Sequence, residues 1–150
     1  MRARAIHLSK ILFCSAAVSL AMGGCGAMQK LGLGGSKPVS AELTGAQEVP
    51  PVSTRATGQS TITVASDRTV SGSVIVADIP ATAAHIHQGA SGANGPIIIP
   101  LVKTADRTFS VPANTRLTDA QYSAFKEGNL YVNVHSAAHP GGEIRVQLKP

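Results

Sequence analysis

Polar and apolar residues alternate along most of the chain from Val39 onward. Ser60-Thr61-Ile62-Thr63-Val64 and Arg107-Thr108-Phe109-Ser110-Val111 place an apolar side chain at every second position. That is the period of a strand with one buried face. Val70 to Val76 is β-branched with Gly72 inside it, the mark of a bulge or a close backbone approach. Ala84 to His87 predicts a short strand, and the unbroken run Ile97-Ile98-Ile99 a strand buried on both faces. One helix interrupts the pattern. Thr118-Asp119-Ala120-Gln121 reads as a capping box, in which the Thr118 side chain satisfies an early backbone N–H and Gln121 reaches back. Gly128 supplies a left-handed stop, and Leu117, Tyr122 and Phe125 are expected to face the core.

The chain closes on a hairpin. Leu130, Val132 and Val134 share one face of its first strand, and Ile144, Val146 and Leu148 one face of its second. The opposite faces carry Tyr131, Asn133 and His135, then Glu143, Arg145 and Gln147. The connection from Ser136 to Gly142 holds His139, and a simple register brings His135 and Glu143 together beneath it. Short strands, turn residues between them and one brief helix predict an all-β fold, an antiparallel β-sandwich with one short helix.

The first 25 residues follow another rule. Arg2, Arg4 and Lys10 precede the apolar stretch Ile11 to Met22. A helix of that length rises roughly 18 Å, short of the about 30 Å of a bilayer core. Residues 1–25 are therefore expected to be a cleaved export signal. Its end, Met22-Gly23-Gly24-Cys25, is similar to the lipobox of bacterial lipoproteins, with Met22 in place of the usual Leu. Acylation of Cys25 would add about 0.8 kcal/mol of membrane partitioning per methylene. Residues 26–37 are rich in Gly and lack alternation, as a flexible tether would. Residues 38–150 form the expected domain. The implied location is the cell envelope, lipid-anchored and facing periplasm or cell surface.

Removing the leader changes the charge. Three of the thirteen Lys and Arg go with it, leaving ten against eight acidic residues. No basic cluster remains to read as a nucleic-acid footprint, and Phe109, Tyr122, Phe125 and Tyr131 are too few for a base-stacking platform. Both cysteines, Cys14 and Cys25, lie in the leader. The domain must fold without a disulfide, and metal ligation would fall to His and carboxylates.

His85-Ile86-His87 carries the chemistry. Two imidazoles at strand positions i and i+2 project from one face, roughly 6–7 Å apart at their bases, and can converge on one ion at about 2.0–2.1 Å. The pair leads into the loop Gln88-Gly89-Ala90-Ser91-Gly92-Ala93-Asn94-Gly95. That loop lacks the Gly-Lys-Ser/Thr ending of a phosphate-binding loop and reads as a tight turn with positive φ at its glycines. No Gly-x-Ser-x-Gly elbow occurs, so no nucleophilic serine is supported. Glu48, ahead of Pro50 and Pro51, has no evident partner acid and is expected to anchor a turn. Glu143 and Arg145, at i and i+2, are expected to form a surface ion pair.

Together these segments resemble one family. Leu43-Thr44-Gly45-Ala46-Gln47-Glu48-Val49-Pro50-Pro51-Val52, Ala84-His85-Ile86-His87-Gln88-Gly89 with Asn94-Gly95-Pro96, Leu130 to His135, and Pro140-Gly141-Gly142-Glu143-Ile144-Arg145 occur in the order of the CHRD domain. That module is named from chordin and also found in exported bacterial proteins. The resemblance covers about residues 39–150 and implies an extracytoplasmic β-sandwich. Its HxH pair, late Asn-x-His and Gly-Glu-Ile-Arg turn map to His85 and His87, to Asn133 and His135, and to Gly142 through Arg145.

The reading that follows is an envelope-tethered binding module. His85, His87 and His135 would bind copper or zinc, with His139 or Glu143 as a fourth ligand. Asn133 and Arg145 would orient the rings from outside the ligand set. No catalytic residue is assigned and no protein partner is named by the sequence. Two alternatives stand beside it. An HxH pair ahead of a glycine-rich loop in an exported β-sandwich is similar to copper–zinc superoxide dismutases, which would make the chain a metal-dependent redox enzyme and its architecture dismutase-like instead of immunoglobulin-like. The remaining dismutase ligands and paired cysteines cannot be placed here. A purely structural interaction module using exposed strand edges is the other.

Overall fold

The computed structural model describes residues 39–150. The predicted leader (1–25), its Cys25 and the tether (26–37) lie outside the described residues. Ten strands follow in chain order: β1 (Val39–Thr44), β2 (Thr57–Val64), β3 (Val70–Ser71), β4 (Ser73–Ala77), β5 (Ala81–Gln88), β6 (Ile97–Pro100), β7 (Val102–Ala105), β8 (Thr108–Ser110), β9 (Leu130–Ser136) and β10 (Ile144–Leu148). One helix, α1 (Asp119–Lys126), sits between β8 and β9. It begins at the expected capping box, with Thr118 and Gln121 each bonding the other's backbone N–H. It stops at Gly128, whose φ is 74°. Leu117 and Phe125 are buried, and Tyr122 packs against the core.

The strands form one antiparallel path, β6-β5-β9-β10-β1-β2-β4-β8-β7, with β3 added on β2. Its two ends, β6 and β7, are neighbours in sequence, separated only by Leu101. The Leu101 N–H donates to the Ala84 carbonyl at 2.9 Å, and Lys103 Nζ reaches the Ala81 carbonyl at 3.4 Å. A sheet whose edges share one short chain segment has to curl round on itself. The all-β class is therefore realised as a continuous, nearly closed, barrel-like sheet. Inside it lie Leu43, Ile62, Val74, Ile86, Phe109, Val132, Val134 and Ile144, all fully buried. Each contributes about 1.5–3 kcal/mol of burial.

One strand expectation is refined and another changes. Val70 to Val76 is broken at Gly72 into β3 and β4; Gly72 takes φ 111° and its backbone closes on Thr61 and Ile62, as a bulge or close approach predicts. Ile97-Ile98-Ile99 is not buried on both faces: it forms an end strand, with Ile97 51% exposed and only Ile99 buried. An apolar run records hydrophobicity and not which flank another strand will cover.

The terminal hairpin has the predicted register, pairing Val134 with Ile144, Asn133 with Arg145 and Leu130 with Leu148. Its polar face is nevertheless not a surface. Every residue of β9 is buried, because two loops close over the side opposite the core.

Candidate metal centre

Three adjacent strands build one polar face. β5 pairs with β9, setting His85 opposite Asn133 and His87 opposite Tyr131. β10 pairs with the other edge of β9, setting Arg145 opposite Asn133 and Gln147 opposite Tyr131. Since residues two apart share a face, His85, His87, Tyr131, Asn133, His135, Arg145 and Gln147 all point away from the core.

The cover is tied down by that face. Asn94 Nδ2 donates to the Val49 carbonyl at 2.7 Å, joining the glycine loop to the segment after β1. The Arg145 guanidinium donates to the Ala93 carbonyl at 3.0 Å and to Asn94 Oδ1 at 3.3 Å. Gln147 Nε2 donates to the Gly89 carbonyl at 2.8 Å. Arg145 is only 1% exposed and forms no ion pair with Glu143. The expected surface pair is replaced by a buried cation that organises loop carbonyls and lies on Tyr131, 3.4 Å from its ring centre. Glu48 also turns inward and is buried.

His85, His87 and His135 converge: one ring nitrogen from each lies within 4.8 Å of the other two. Backbone carbonyls set the tautomers. His87 Nδ1 is 2.9 Å from the Gly95 carbonyl and His135 Nδ1 is 3.0 Å from the Pro140 carbonyl. A carbonyl oxygen only accepts, so both Nδ1 atoms carry hydrogen and each neutral ring presents an unprotonated Nε2 that can only accept. This is the arrangement by which metal-binding imidazoles are usually oriented. His135 Nε2 is 2.9 Å from His85 Nδ1. His87 Nε2 is buried and has no hydrogen-bond partner.

The rings are held in the form a metal needs. Burial, then repulsion from His135 and His87, pushes the His85 pKa down to about 4. Burial also lowers His87, against the opposing effects of the Gly95 carbonyl and Asn133. His135 is lowered in the same way, opposed by the Pro140 carbonyl. With the imidazoles neutral, the charges around the face are the carboxyls of Glu48 and Glu143 against the single guanidinium of Arg145. Unprotonated ring nitrogens in a surround with more acids than bases fit a cation. The donor set suits copper or zinc.

Two expected ligands are not brought into this group. The Glu143 carboxylate is engaged by the hydroxyls of Ser136 and Thr54, the latter at 2.7 Å. His139 is half-buried in the turn, where its backbone bonds Ser136 and Gly142. Register alone brings Glu143 alongside His135; hydroxyl partners then claim its oxygens. Sequence reasoning missed the inward turn of Glu48 and the place of Tyr131 in the site. Glu48 belongs to no alternating segment, so only its position ahead of Pro50 and Pro51 marked it. The glycine loop needs positive φ only at Gly92. At Gly95 the requirement is space, since a Cβ there would overlap the Gln88 carbonyl. A hollow of about 800 Å³ between the start of β1 and the end of α1 contains none of the three histidines. Chemistry and not size locates the site.

Fold and face together define an all-β module whose buried polar layer is built for binding. The family model of the CHRD domain matches residues 39–148, and the chain belongs to that family. No curated protein and no solved structure matches the chain.

Proposed function

We propose that this CHRD module is tethered to the cell envelope and binds one copper or zinc ion through His85, His87 and His135. The observation that carries the reading is the buried, unpartnered Nε2 of His87, whose other nitrogen is committed to the Gly95 carbonyl. A buried acceptor without a donor is costly. A cation shared with the neighbouring imidazole nitrogens removes that cost. The module binds and does not catalyse, and the ion is its cargo or its structural bond. The tether is the lipid-modified Cys25, from which residues 26–37 lead to the domain.

Titrating the purified protein with zinc and copper tests the site. Wild type is expected to take up one equivalent, and the His85→Ala/His87→Ala variant none. Equal uptake by the two proteins would remove the metal reading. Assaying the copper-loaded protein for superoxide dismutation then separates a binder from a redox enzyme, the binder showing no turnover above free copper.

A further inference from the structure

We propose that Asn133 Oδ1 is the fourth ligand of the ion, with Glu48 holding the amide in place. The inference rests on the reading that the three histidines bind copper or zinc, and it makes the site a closed one.

Asn133 occupies the middle of the polar face. It lies directly opposite His85 on one side and Arg145 on the other, and two residues from His135 along β9. Directly opposed side chains start about 4.5–5.5 Å apart, within reach of the histidine group. The direction of its amide follows from its surroundings. Asn133 Nδ2 faces the Gly141 carbonyl at 3.5 Å, a group that only accepts. On the same side lies Glu48: a Cβ built on Gly142 would stand 2.6 Å from Asn133 Nδ2 and 2.5 Å from Glu48 Oε1. The donor end of the amide is thus turned toward the 141–142 turn and the carboxyl, and the oxygen is turned away from them.

That oxygen has no partner. Among the described residues, three buried side-chain atoms lack one: Glu48 Oε1, His87 Nε2 and Asn133 Oδ1. All three present lone pairs; two belong to this face and Glu48 to the segment that covers it. Asn133 is also close enough to His87 for its amide to act on that ring. Bare lone pairs gathered in a buried layer repel one another unless positive charge stands among them. A proton on His87 Nε2 would make a buried imidazolium beside Arg145. A dication accepting His87 Nε2, His135 Nε2, a nitrogen of His85 and Asn133 Oδ1 satisfies two of those three atoms and has four donors, the number zinc takes in structural sites. Glu48 then acts as a positioning residue, its carboxyl lying beside the nitrogen end of the amide. A protein oxygen in the fourth position leaves no place for a reacting water, which agrees with a binder.

The test uses the full chain in detergent, with zinc and copper(II) as probes. Zinc affinity is measured by calorimetry, and water access to bound copper(II) by proton relaxation. Asn133→Ala is expected to bind zinc more than about 100-fold more weakly, beyond the usual range for a merely orienting partner. Its copper form should relax water faster than wild type, because water enters the vacated position. Asn133→Asp keeps an oxygen there, and should bind at least as tightly as wild type with slow relaxation; it also guards against a folding artefact. Wild-type relaxation in the Asn133→Ala protein would overturn the proposal while leaving the three-histidine reading intact. No uptake of either metal by wild type would sink both.

Discussion

The His87 imidazole lies flat on the Tyr131 ring, with centroids 4.7 Å apart and planes inclined by 7°. The other partner of Tyr131 is the guanidinium of Arg145, so the strand pair His87–Tyr131 is locked into a stack that ends on a buried cation. The Tyr131 hydroxyl accepts from the Gly95 N–H at 3.1 Å, next to the carbonyl that fixes His87. Ring plane and tautomer of one imidazole are therefore set by the same loop.

Two substitutions separate those roles. Tyr131→Phe removes only the hydroxyl, and is expected to cost about 1 kcal/mol with zinc affinity nearly unchanged. Tyr131→Leu removes the stack and the cation's aromatic partner. It should cost about 3 kcal/mol and weaken zinc binding about tenfold, because His87 is no longer held in plane. Urea unfolding and calorimetry give both numbers. Equal zinc affinity in the Leu variant and wild type would show that the stack serves stability alone.

Strand periodicity made the fold legible and half of the site. Alternation at Ser60 to Val64 and along the terminal hairpin gave the faces correctly, and the capping box placed α1. HxH and Asn-x-His pointed to the three histidines that meet. What alternation cannot say is whether a polar face is wet. Arg145 and Glu143 were expected at the surface because nothing apolar covers them; their cover is backbone, the carbonyls of Ala90 and Ala93, and hydroxyls from Thr54 and Ser136. Backbone carbonyls leave no trace in a residue pattern. Ile97 errs the other way, its apolar side chain sitting on an end strand.

The lowered imidazoles give the metal-free protein a defined response to acid. Folded His85 titrates near 4 and the unfolded side chain near 6.5, and His87 and His135 shift in the same direction. Between those values the unfolded chain binds more protons, so stability falls as pH falls through the window and is flat above it. Glu48 works in the opposite sense, since burial raises its carboxyl above 4.5 and the folded form gains its proton first. Three imidazoles outweigh one carboxyl, and the urea midpoint is expected to drop steadily from pH 6.5 towards 4. A His85→Gln variant should flatten that slope. An unchanged slope would mean that His85 is as easily protonated folded as unfolded. Zinc competes with the same protons, so its uptake should persist at pH 6 and be lost towards pH 4.

Membrane attachment has a separate readout. If Cys25 carries the lipid, Cys25→Ser moves the protein from the membrane to the soluble fraction without altering zinc affinity, since the ligands are held by the β5–β9 strand pair and its loops. Retention of the Ser variant in membranes would exclude the acyl anchor.

Gly142 and Gly141 provide the sharpest internal comparison. Gly142 is buried with φ 129°, a conformation L side chains rarely adopt, and an added Cβ would press on Glu48 and Asn133. Gly141 is exposed and has nothing within 4 Å of an added Cβ. Gly142→Ala is therefore expected to cost about 2–3 kcal/mol, combining backbone strain with the displacement of two buried polar groups, whereas Gly141→Ala should stay within about 0.5 kcal/mol. Zinc affinity adds a second axis. Because the nearest neighbours of a Cβ on Gly142 are Glu48 and the Asn133 amide, Gly142→Ala should weaken zinc binding as Asn133→Ala does while the Gly141 variant binds like wild type. A Gly142→Ala protein that loses stability yet keeps full zinc affinity would detach the turn from the ion and leave Gly142 a purely conformational requirement.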